Sequence, residues 1–440
     1  MSDTRRHVPR TDAVLAHPQI AHAMCVLGRA TVKATVAAVQ EQARAGRVAP
    51  DEVVSVVLAS LPERATTLSP VVNATGVLVH TNLGRAPLSR AARDAIDVAT
   101  GSTDVEFDLA TGARARRGRG ALAALAEAVP DAEAVHVVNN NAAALLLTAM
   151  ALAGDADILL SRGEFVEIGD GFRIPELLGA SGARIREVGT TNRTTLEDYR
   201  RALGERTAFI LKVHPSNFVV RGFTASVSVA ELATLGVPVV VDIGSGLLRP
   251  HPLLPNEPDA ASTLRAGATL VTASGDKLLG GPQCGLLLGS ADVVERLRRH
   301  PVARALRVDK LTLAALEATL RGPAPPVTVA LETKEDELRV RAERLAKTLA
   351  DEGIDAEVVR CHSAIGGGGA PDVELPSWGI GVPAAWAREL RTGSPPVVGR
   401  VRRGRCVLDL RTVAPDDDAR LLAAVRAVHH RRKGERTWTS

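Results

Sequence analysis

One lysine, Lys277, stands where the sequence could form a reactive amine. It lies in the stretch VTASGDKLLGGPQCGLLLG (residues 271–289), between two apolar runs that predict buried strands and among several glycines. Burial in an apolar site disfavours the charged ammonium, and the neutral amine is the form that attacks a carbonyl group, as a Schiff-base lysine does. The alternative is a solvated lysine in a surface turn, and this stretch alone leaves both open.

Other polar groups follow predicted strands in the same way. Residues 139–141, three asparagines, come after AVHVV, residues 214–217 come after AFILKV, and Asp242 comes after VPVVV. In an open α/β sheet, ligands bind outside the carboxyl ends of the strands. We therefore expect these groups to lie around Lys277.

Pyridoxal phosphate needs the chemistry that this set offers. It takes an amine for its aldehyde, a carboxylate that keeps its pyridine nitrogen protonated, and a helix N-terminus for its phosphate. Lys277 offers the amine, Asp242 the carboxylate, and the helix predicted after Asn141 the amides. The alternatives are a helix cap for Asp242 and a plain strand-to-helix turn for the asparagines. The predicted cofactor-binding residues are Lys277, Asp242, Asn140, Asn141, Ala142, His214, which would pack against the ring, and Ser274.

The elements that must position these residues alternate between apolar strands and short helices. Continuous apolar strands indicate a mostly parallel sheet covered on both faces, so we predict an α/β fold. A helical N-terminal domain is expected over residues 1–68, the α/β domain over residues 69–322, and a small α+β domain over residues 323–440, after the linker RGPAPP. In the last domain we predict one helix over residues 329–353, a loop over residues 363–377, and a hairpin that turns at Arg403 and Gly404.

Composition limits the class of protein. The chain has 440 residues and a net charge of +4, and its aromatic residues are six Phe, three Trp and one Tyr, too few for base-stacking platforms. The four cysteines have no metal-like spacing, so no metal site is expected, and Cys284 is expected in the core. No apolar run has the length of a membrane span, and we expect a cytoplasmic protein. Basic residues cluster at Arg5, Arg6 and Arg10, at Arg114, Arg116, Arg117 and Arg119, and over residues 429–436. Each cluster is compatible with a solvated surface, and together they permit a polyanionic partner.

The sequence also resembles the bacterial selenocysteine synthases, the L-seryl-tRNA(Sec) selenium transferases, over essentially its whole length. The resemblance rests on long blocks: VVNATGVLVHTNLGRAPLS, EFDLATGARARRG, VNNNAAALLL, SRGEFVEIGDGFRIPELL, EVGTTNRT, LKVHPSNF, SGDKLLGGPQCGLLLG, RALRVDKLTLAALEATL and IGGGGAPDVELPS. It implies a fold-type I, aminotransferase-like enzyme that binds pyridoxal phosphate. It also implies an N-terminal domain that contacts tRNA, and a homo-oligomer, a decamer.

The resemblance further implies site residues. Lys277 would be the cofactor lysine and Asp276 the neighbouring catalytic aspartate. Arg85, Arg304 and Arg307 would bind the anion selenophosphate. Arg304 and Arg307 share a face if their segment is helical, and the alternative for this pair is a solvated helix face.

The reaction that the resemblance implies is an elimination followed by an addition, and these residues must support both steps. Lys277 would remove the Cα proton of the seryl group, and its protonated form, oriented by Asp276, would supply the acid for the departing hydroxide. The resulting dehydroalanyl-tRNA(Sec) would take selenium from selenophosphate, a compact polyanion that guanidinium groups suit. One alternative function is a small-molecule lyase that eliminates water or ammonia from a phosphorylated amino acid or amino-sugar acid on the same core. Another is a tRNA-binding protein with an inert core.

Overall fold

The structure is a computed structural model that describes residues 7–169 and 171–437. The chain divides into two compact units, Met1–Pro70 and Val71–Ser440. Arg5 and Arg6 of the first basic cluster, and the side chains of residues 434–436 of the last cluster, lie outside the described part of the chain.

The first unit is helical, as predicted. Its helices are α1 (Thr11–Leu15), α2 (Pro18–Leu27), α3 (Arg29–Arg44) and α4 (Val53–Ser60). Val32, Val36 and Val39 recur at helical spacing along α3, and all three are buried in a core built from this unit alone. Gly28 separates α2 from α3 with a backbone φ of +79°, which glycine adopts without strain. The unit therefore has its own hydrophobic core.

The second unit contains sixteen strands and fourteen α-helices among the described residues. The strands are β1 (Val72–Asn73), β2 (Val77–Val79), β3 (Ala134–Val138), β4 (Asp157–Ser161), β5 (Glu167–Ile168), β6 (Phe172–Arg173), β7 (Arg184–Val188), β8 (Thr207–Val213), β9 (Val239–Gly244), β10 (Leu270–Ser274), β11 (Gly285–Gly289), β12 (Glu357–Gly366), β13 (Glu374–Pro383), β14 (Val397–Val398), β15 (Arg400–Arg402) and β16 (Arg405–Asp409). The helices are α5 (Arg90–Thr100), α6 (Arg119–Ala128), α7 (Asn141–Thr148), α8 (Ile174–Gly179), α9 (Leu196–Ala202), α10 (Val229–Ala233), α11 (Ala260–Arg265), α12 (Ala291–Arg299), α13 (Pro301–Ala305), α14 (Lys310–Arg321), α15 (Pro326–Glu332), α16 (Glu335–Asp351), α17 (Ala387–Arg391) and α18 (Asp418–Thr437).

A seven-stranded sheet carries the predicted site. Its strand order is β3-β11-β10-β9-β8-β4-β7, and only β11 runs antiparallel to its neighbours. Leu286 and Leu288 of β11 pack into one core, whereas Leu287, between them, packs into a second core. Apolar layers thus cover both faces, which explains the continuous apolar strands and confirms the predicted fold class.

A five-stranded sheet, ordered β15-β16-β13-β12-β2, is called the second sheet below. Its edge strand β2 comes from the segment before the large sheet: Val77 pairs with Ala364 and Val79 with Gly366. Strand β1 similarly pairs with β14. The sequence boundaries placed β1 and β2 in the α/β domain, and the structure pairs them with strands near the C-terminus.

Two local predictions for the C-terminal region are wrong. The single helix expected over residues 329–353 is two helices, α15 and α16. Where α15 ends, Arg411 donates hydrogen bonds to the carbonyls of Ala330 at 2.7 Å and Thr333 at 2.8 Å, which have no donor within the helix. The loop expected over residues 363–377 is strand at both ends. Ser363 and Ser377, at the two ends, point inward and donate to the buried carboxylate of Asp409.

The predicted hairpin between β15 and β16 is confirmed, with Arg403 and Gly404 at positive φ in its turn. No helix in the described ranges is long and apolar enough to cross a membrane.

Candidate active site

Lys277 is buried in the turn that follows β10. The residue is 7% exposed, and its Nζ lies against the backbone of Gly244 and Gly368. A Cβ at Gly368 would lie 3.0 Å from that nitrogen, so a side chain there would crowd the amine. Burial lowers the pKa of the Lys277 amine, while the charge of Asp242 acts in the opposite direction. The surface-turn alternative is therefore excluded, and burial favours the neutral, nucleophilic form.

Asp242 lies in the neighbouring strand, β9, and is also buried. Its Oδ1 accepts hydrogen bonds from Asn141 Nδ2 at 2.8 Å, from the Gly244 amide at 3.1 Å and from Thr272 Oγ1 at 3.2 Å. Burial raises the pKa of Asp242, and these hydrogen bonds oppose the rise. The helix-cap alternative fails, since Asp259 is the residue that caps the next helix, α11. A cation bound beside Asp242 would favour its ionised form.

The asparagine turn, residues 139–141, contains asparagines that make different contacts. Helix α7 begins at Asn141, one residue earlier than predicted, and Asn140 caps it by accepting from the Ala143 amide at 2.8 Å. The Asn140 side chain thus makes the contact that the strand-to-helix turn alternative expects. Asn141 instead donates to Asp242, and its own Oδ1 is buried with no partner among the described residues. The first amides of α7, including that of Ala142, have no acceptor within the helix, as at any helix N-terminus.

His214 and Ser274 lie at the ends of two strands of the same sheet. The backbone amide of His214 donates to the carbonyl oxygen of Asp242 at 2.9 Å. The imidazole Nε2 of His214 lies 3.3 Å from Glu257 Oε2. Ser274 is the last residue of β10, is buried, and pairs with Gly285 of the neighbouring strand β11. The structure therefore gathers Lys277, Asp242, Asn141, His214 and Ser274 at one edge of the sheet.

Asp276 precedes Lys277 and forms an ion pair. Its Oδ2 accepts from Arg85 Nη1 at 2.7 Å, and its carbonyl accepts from the Ala86 amide at 3.2 Å. Arg85 itself has a positive φ of +64° in the turn predicted from the sequence. Asp276 acts on Lys277 through its charge, which raises the pKa of the amine, and the charge of Arg85 lowers it. Both residues thus lie within electrostatic reach of the amine.

Arg304 and Arg307 have a different setting. Helix α13 ends at Ala305, so the segment that holds Arg307 is not helical and the condition for a shared helix face is not met. Arg307 forms an isolated bridge with Val138, at the end of β3 just before the asparagine turn, and its Nη1 lies 3.5 Å from Glu106 Oε1. Arg304 is exposed. Within one chain, Arg85 is the predicted anion ligand that the structure places beside Lys277.

A run of glycines closes the site from the second sheet. The glycine turn, residues 366–369, begins at the last residue of β12, and its first three residues have positive φ. A Cβ at Gly367 would meet the Val79 carbonyl at 2.6 Å, whereas one at Gly368 would meet Lys277 Nζ and, at 3.4 Å, Ser216 Oγ. Hence a side chain at Gly367 would collide with β2, and one at Gly368 would crowd the amine.

The sequence prediction missed Glu257, and it gave Ser216, one of residues 214–217, no role of its own. Both reach the site from loops, and neither stands directly after an apolar strand. The signal for Ser216 was its place in HPSN, two residues beyond His214, and the signal for Glu257 was an acidic residue between two prolines in PNEP.

Pyridoxal phosphate fits this set of groups. The site offers a buried amine of lowered pKa, a buried carboxylate one strand away, an unpartnered Asn141 Oδ1, and a backbone cradle at Gly244 and Gly368 that side chains would fill. The open amides of α7 suit its phosphate.

Comparisons with known proteins agree over most of the chain. The sequence profile described as L-seryl-tRNA selenium transferase matches residues 71–414, and the profile described as the selenocysteine synthase N terminal region matches residues 5–44. The L-seryl-tRNA(Sec) selenium transferase of Moorella thermoacetica is 46% identical, with 82% of each chain covered. The enzyme of that name from Geobacter sulfurreducens is 41% identical, with 95% of this chain and 98% of the relative covered.

Among solved structures, a D-glucosaminate-6-phosphate ammonia-lyase superposes with a TM-score of 0.58 at 19% identity, over 83% of this chain and 96% of the other. That similarity supports the fold. The extent and identity of the sequence matches confirm the resemblance: the chain belongs to the L-seryl-tRNA selenium transferase family.

Proposed function

We propose that this protein is a pyridoxal-phosphate enzyme that converts L-seryl-tRNA(Sec) to L-selenocysteinyl-tRNA(Sec) with selenophosphate as the selenium donor. The observation that carries the proposal is the buried Lys277 amine beside buried Asp242, in a chain whose family is named for this reaction. The reaction needs a base at Cα and an acid at the β-hydroxyl, and a lysine of lowered pKa can serve in both protonation states.

The residues that would hold the cofactor are Lys277, Asp242, Asn140, Asn141, Ala142, His214 and Ser274. When bound, pyridoxal phosphate supplies an electron sink for the charge that develops at Cα. Lys277 Nζ removes the Cα proton and then holds a proton for the departing hydroxyl. Asp276 stabilises the protonated amine through its charge, and the negative charge of Asp242 balances a protonated ring nitrogen.

For selenophosphate we propose the guanidinium groups of Arg85, Arg304 and Arg307. Arg85 is close to the amine, and its partner Asp276 holds it in place. Arg307 shares Glu106 with Arg114 and Arg117, so an incoming anion competes with one carboxylate for three guanidinium groups. This local excess of positive charge favours a compact polyanion.

The assembly and the location are further parts of the proposal. We propose a homo-oligomer with the decamer as its size, tRNA contacts on the first unit, and a cytoplasmic location, where charged tRNA is available. The exposed Arg114 supports a polyanion-binding surface on the second unit.

Incubating the cofactor-loaded protein with seryl-tRNA(Sec), with and without selenophosphate, tests the proposal. We expect selenocysteinyl-tRNA with the donor and dehydroalanyl-tRNA without it, identified by mass spectrometry of the released aminoacyl group. Lys277→Ala is the control and should leave the seryl group intact. Unchanged seryl-tRNA with the native protein, together with release of ammonia from a phosphorylated amino-sugar acid, would contradict the proposal and favour a small-molecule lyase.

A further inference from the structure

Glu257 is a carboxylate buried at the edge of the site. It lies in the loop between β9 and α11, and its side chain is 1% exposed. The loop is fixed by backbone hydrogen bonds from Leu254 to His251 at 2.9 Å and from Glu257 to Leu254 at 3.1 Å. The position of this carboxylate is therefore set by ordered backbone.

One oxygen of Glu257 makes both of its hydrogen bonds. Oε2 accepts from the Ala370 amide at 2.7 Å and lies 3.3 Å from His214 Nε2. A carboxylate can only accept, so Nε2 of His214 carries the hydrogen and donates it. The carboxylate thereby fixes both the orientation of the imidazole and its tautomer, as carboxylate partners of histidine do elsewhere.

The two residues that donate to Glu257 follow strands of different sheets. His214 follows β8 of the large sheet, and its amide is bonded to Asp242. Ala370 directly follows the glycine turn, with a φ of +42°, and Gly368 of that turn lies against Lys277 Nζ. Glu257 thus joins a strand end of the large sheet to the turn that covers the amine from the second sheet.

The second oxygen of Glu257 points to a functional role. Oε1 is buried and has no partner among the described residues. A buried acceptor without a donor destabilises a fold, and a buried carboxylate also loses its hydration. Stability alone therefore gives no reason for an acid at this position, whereas the alignment of His214 and the glycine turn does.

We propose that Glu257 is a positioning residue for the cofactor: its carboxylate orients His214 and holds the glycine turn over the Lys277 amine. The inference rests on the proposed function, because it takes pyridoxal phosphate as the group that His214 and Lys277 contact. Glu257 acts through these neighbours.

The test compares Glu257→Ala and Glu257→Gln in the full-length protein. Glu257→Ala removes both hydrogen bonds, and we expect the dissociation constant of pyridoxal phosphate to rise about 10- to 100-fold and the visible absorption band to shift. Glu257→Gln keeps one oxygen that can accept both N–H groups, so we expect a smaller rise, about 3- to 10-fold. Fluorescence titration and absorption spectra of the reloaded protein measure both effects.

The chain offers a matched control. Glu332 pairs with His251 at 3.5 Å, but its side chain is 59% exposed. Glu332→Ala should leave the dissociation constant and the band unchanged. A double substitution with His214→Ala tests the route: if Glu257 acts partly through His214, the combined effect is smaller than the product of the single effects.

The outcomes separate this inference from the proposed function. Native dissociation constants and spectra in both Glu257 variants would overturn the positioning role while leaving the cofactor assignment intact. Equal effects of Gln and Ala would also overturn it, because charge rather than hydrogen bonding would then dominate. If the fold-changes in the dissociation constant caused by Glu257→Ala and His214→Ala multiply fully in the double variant, the link between Glu257 and the imidazole is overturned. A native protein that binds no pyridoxal phosphate would overturn the proposed function, and the positioning role with it.

Discussion

At the scale of residues, the chemistry of the site depends on how burial changes Lys277 and Asp242. Burial lowers the pKa of the amine and raises that of the carboxylate, and each charge stabilises the other. Both residues were predicted from the sequence because each comes soon after an apolar run and has the chemistry that pyridoxal phosphate needs. Glu257 was missed and Ser216 received no role of its own, since loops bring both to the site and loop geometry leaves no periodic pattern.

The lowered pKa of Lys277 predicts the pH dependence of cofactor attachment. Since the amine reacts when deprotonated, a lower pKa supplies the reactive form at lower pH. The rate of pyridoxal phosphate attachment to the cofactor-free protein should therefore reach its half-maximum below pH 10.5, the ordinary value for lysine. Borohydride trapping and mass spectrometry at a series of pH values measure this rate. Exposed Lys347 is the internal control, and an equal midpoint for the two lysines would contradict the prediction.

At the scale of elements, the glycine turn and the polar centre of the second sheet are the features that sequence patterns described least well. The run of four glycines predicted a loop, but its position over Lys277 depends on the pairing of β12 with β2, which are far apart in sequence. The inward-facing serines of β12 and β13 were taken for loop residues, because their partner Asp409 comes from a third strand.

Substitution in the glycine turn should affect the site specifically. Gly368 and Gly353 have similar positive φ, +81° and +73°, but a Cβ at Gly353 would meet nothing within 4 Å. Both Gly→Ala changes should lower the free energy of unfolding by about 1–2 kcal/mol. Only Gly368→Ala should also slow attachment of pyridoxal phosphate to Lys277, roughly 10- to 100-fold, because the new methyl group displaces the amine. Equal attachment rates in the two variants would show that the turn does not confine Lys277.

The polar centre of the second sheet, Asp409 with its hydrogen-bond donors, should be the main contributor to the stability of that sheet. Asp409 is fully buried and accepts from Ser363 at 2.9 Å, Ser377 at 2.6 Å and Arg400 at 2.9 Å. Asp409→Ala leaves a partly buried guanidinium unpaired, so we expect a loss of about 3–5 kcal/mol in the free energy of unfolding. Urea unfolding followed by tryptophan fluorescence measures it. Asp336→Ala, with a side chain 90% exposed, is the control and should change the value by less than about 0.5 kcal/mol. Similar values for the two variants would refute this role of Asp409.

At the scale of the whole molecule, the chain consists of two units with separate cores. The fold class, the helical first unit and the family followed from the strand–helix alternation and from long sequence blocks. The pairing of β1 and β2 with the C-terminal strands did not follow, because two- and three-residue strands carry too little pattern to predict a partner.

Removal of the first unit should separate tRNA binding from cofactor binding. A variant lacking residues 1–70 keeps every residue of the candidate site, so its absorption spectrum with pyridoxal phosphate should match that of the native protein. Its affinity for seryl-tRNA(Sec), measured by filter binding, should fall at least about tenfold if the first unit holds the tRNA. Native affinity in the truncated protein would place the tRNA contacts on the second unit.

The central claim is that the buried amine of Lys277 binds the cofactor, and covalent labelling tests it most directly. The protein loaded with pyridoxal phosphate is reduced with borohydride, digested, and mapped by mass spectrometry. The chain has seven lysines, so the labelled peptide identifies the site without ambiguity. We predict a stoichiometric phosphopyridoxyl group on Lys277. A label on another lysine, or an unlabelled Lys277 in protein that holds the cofactor, would contradict the account.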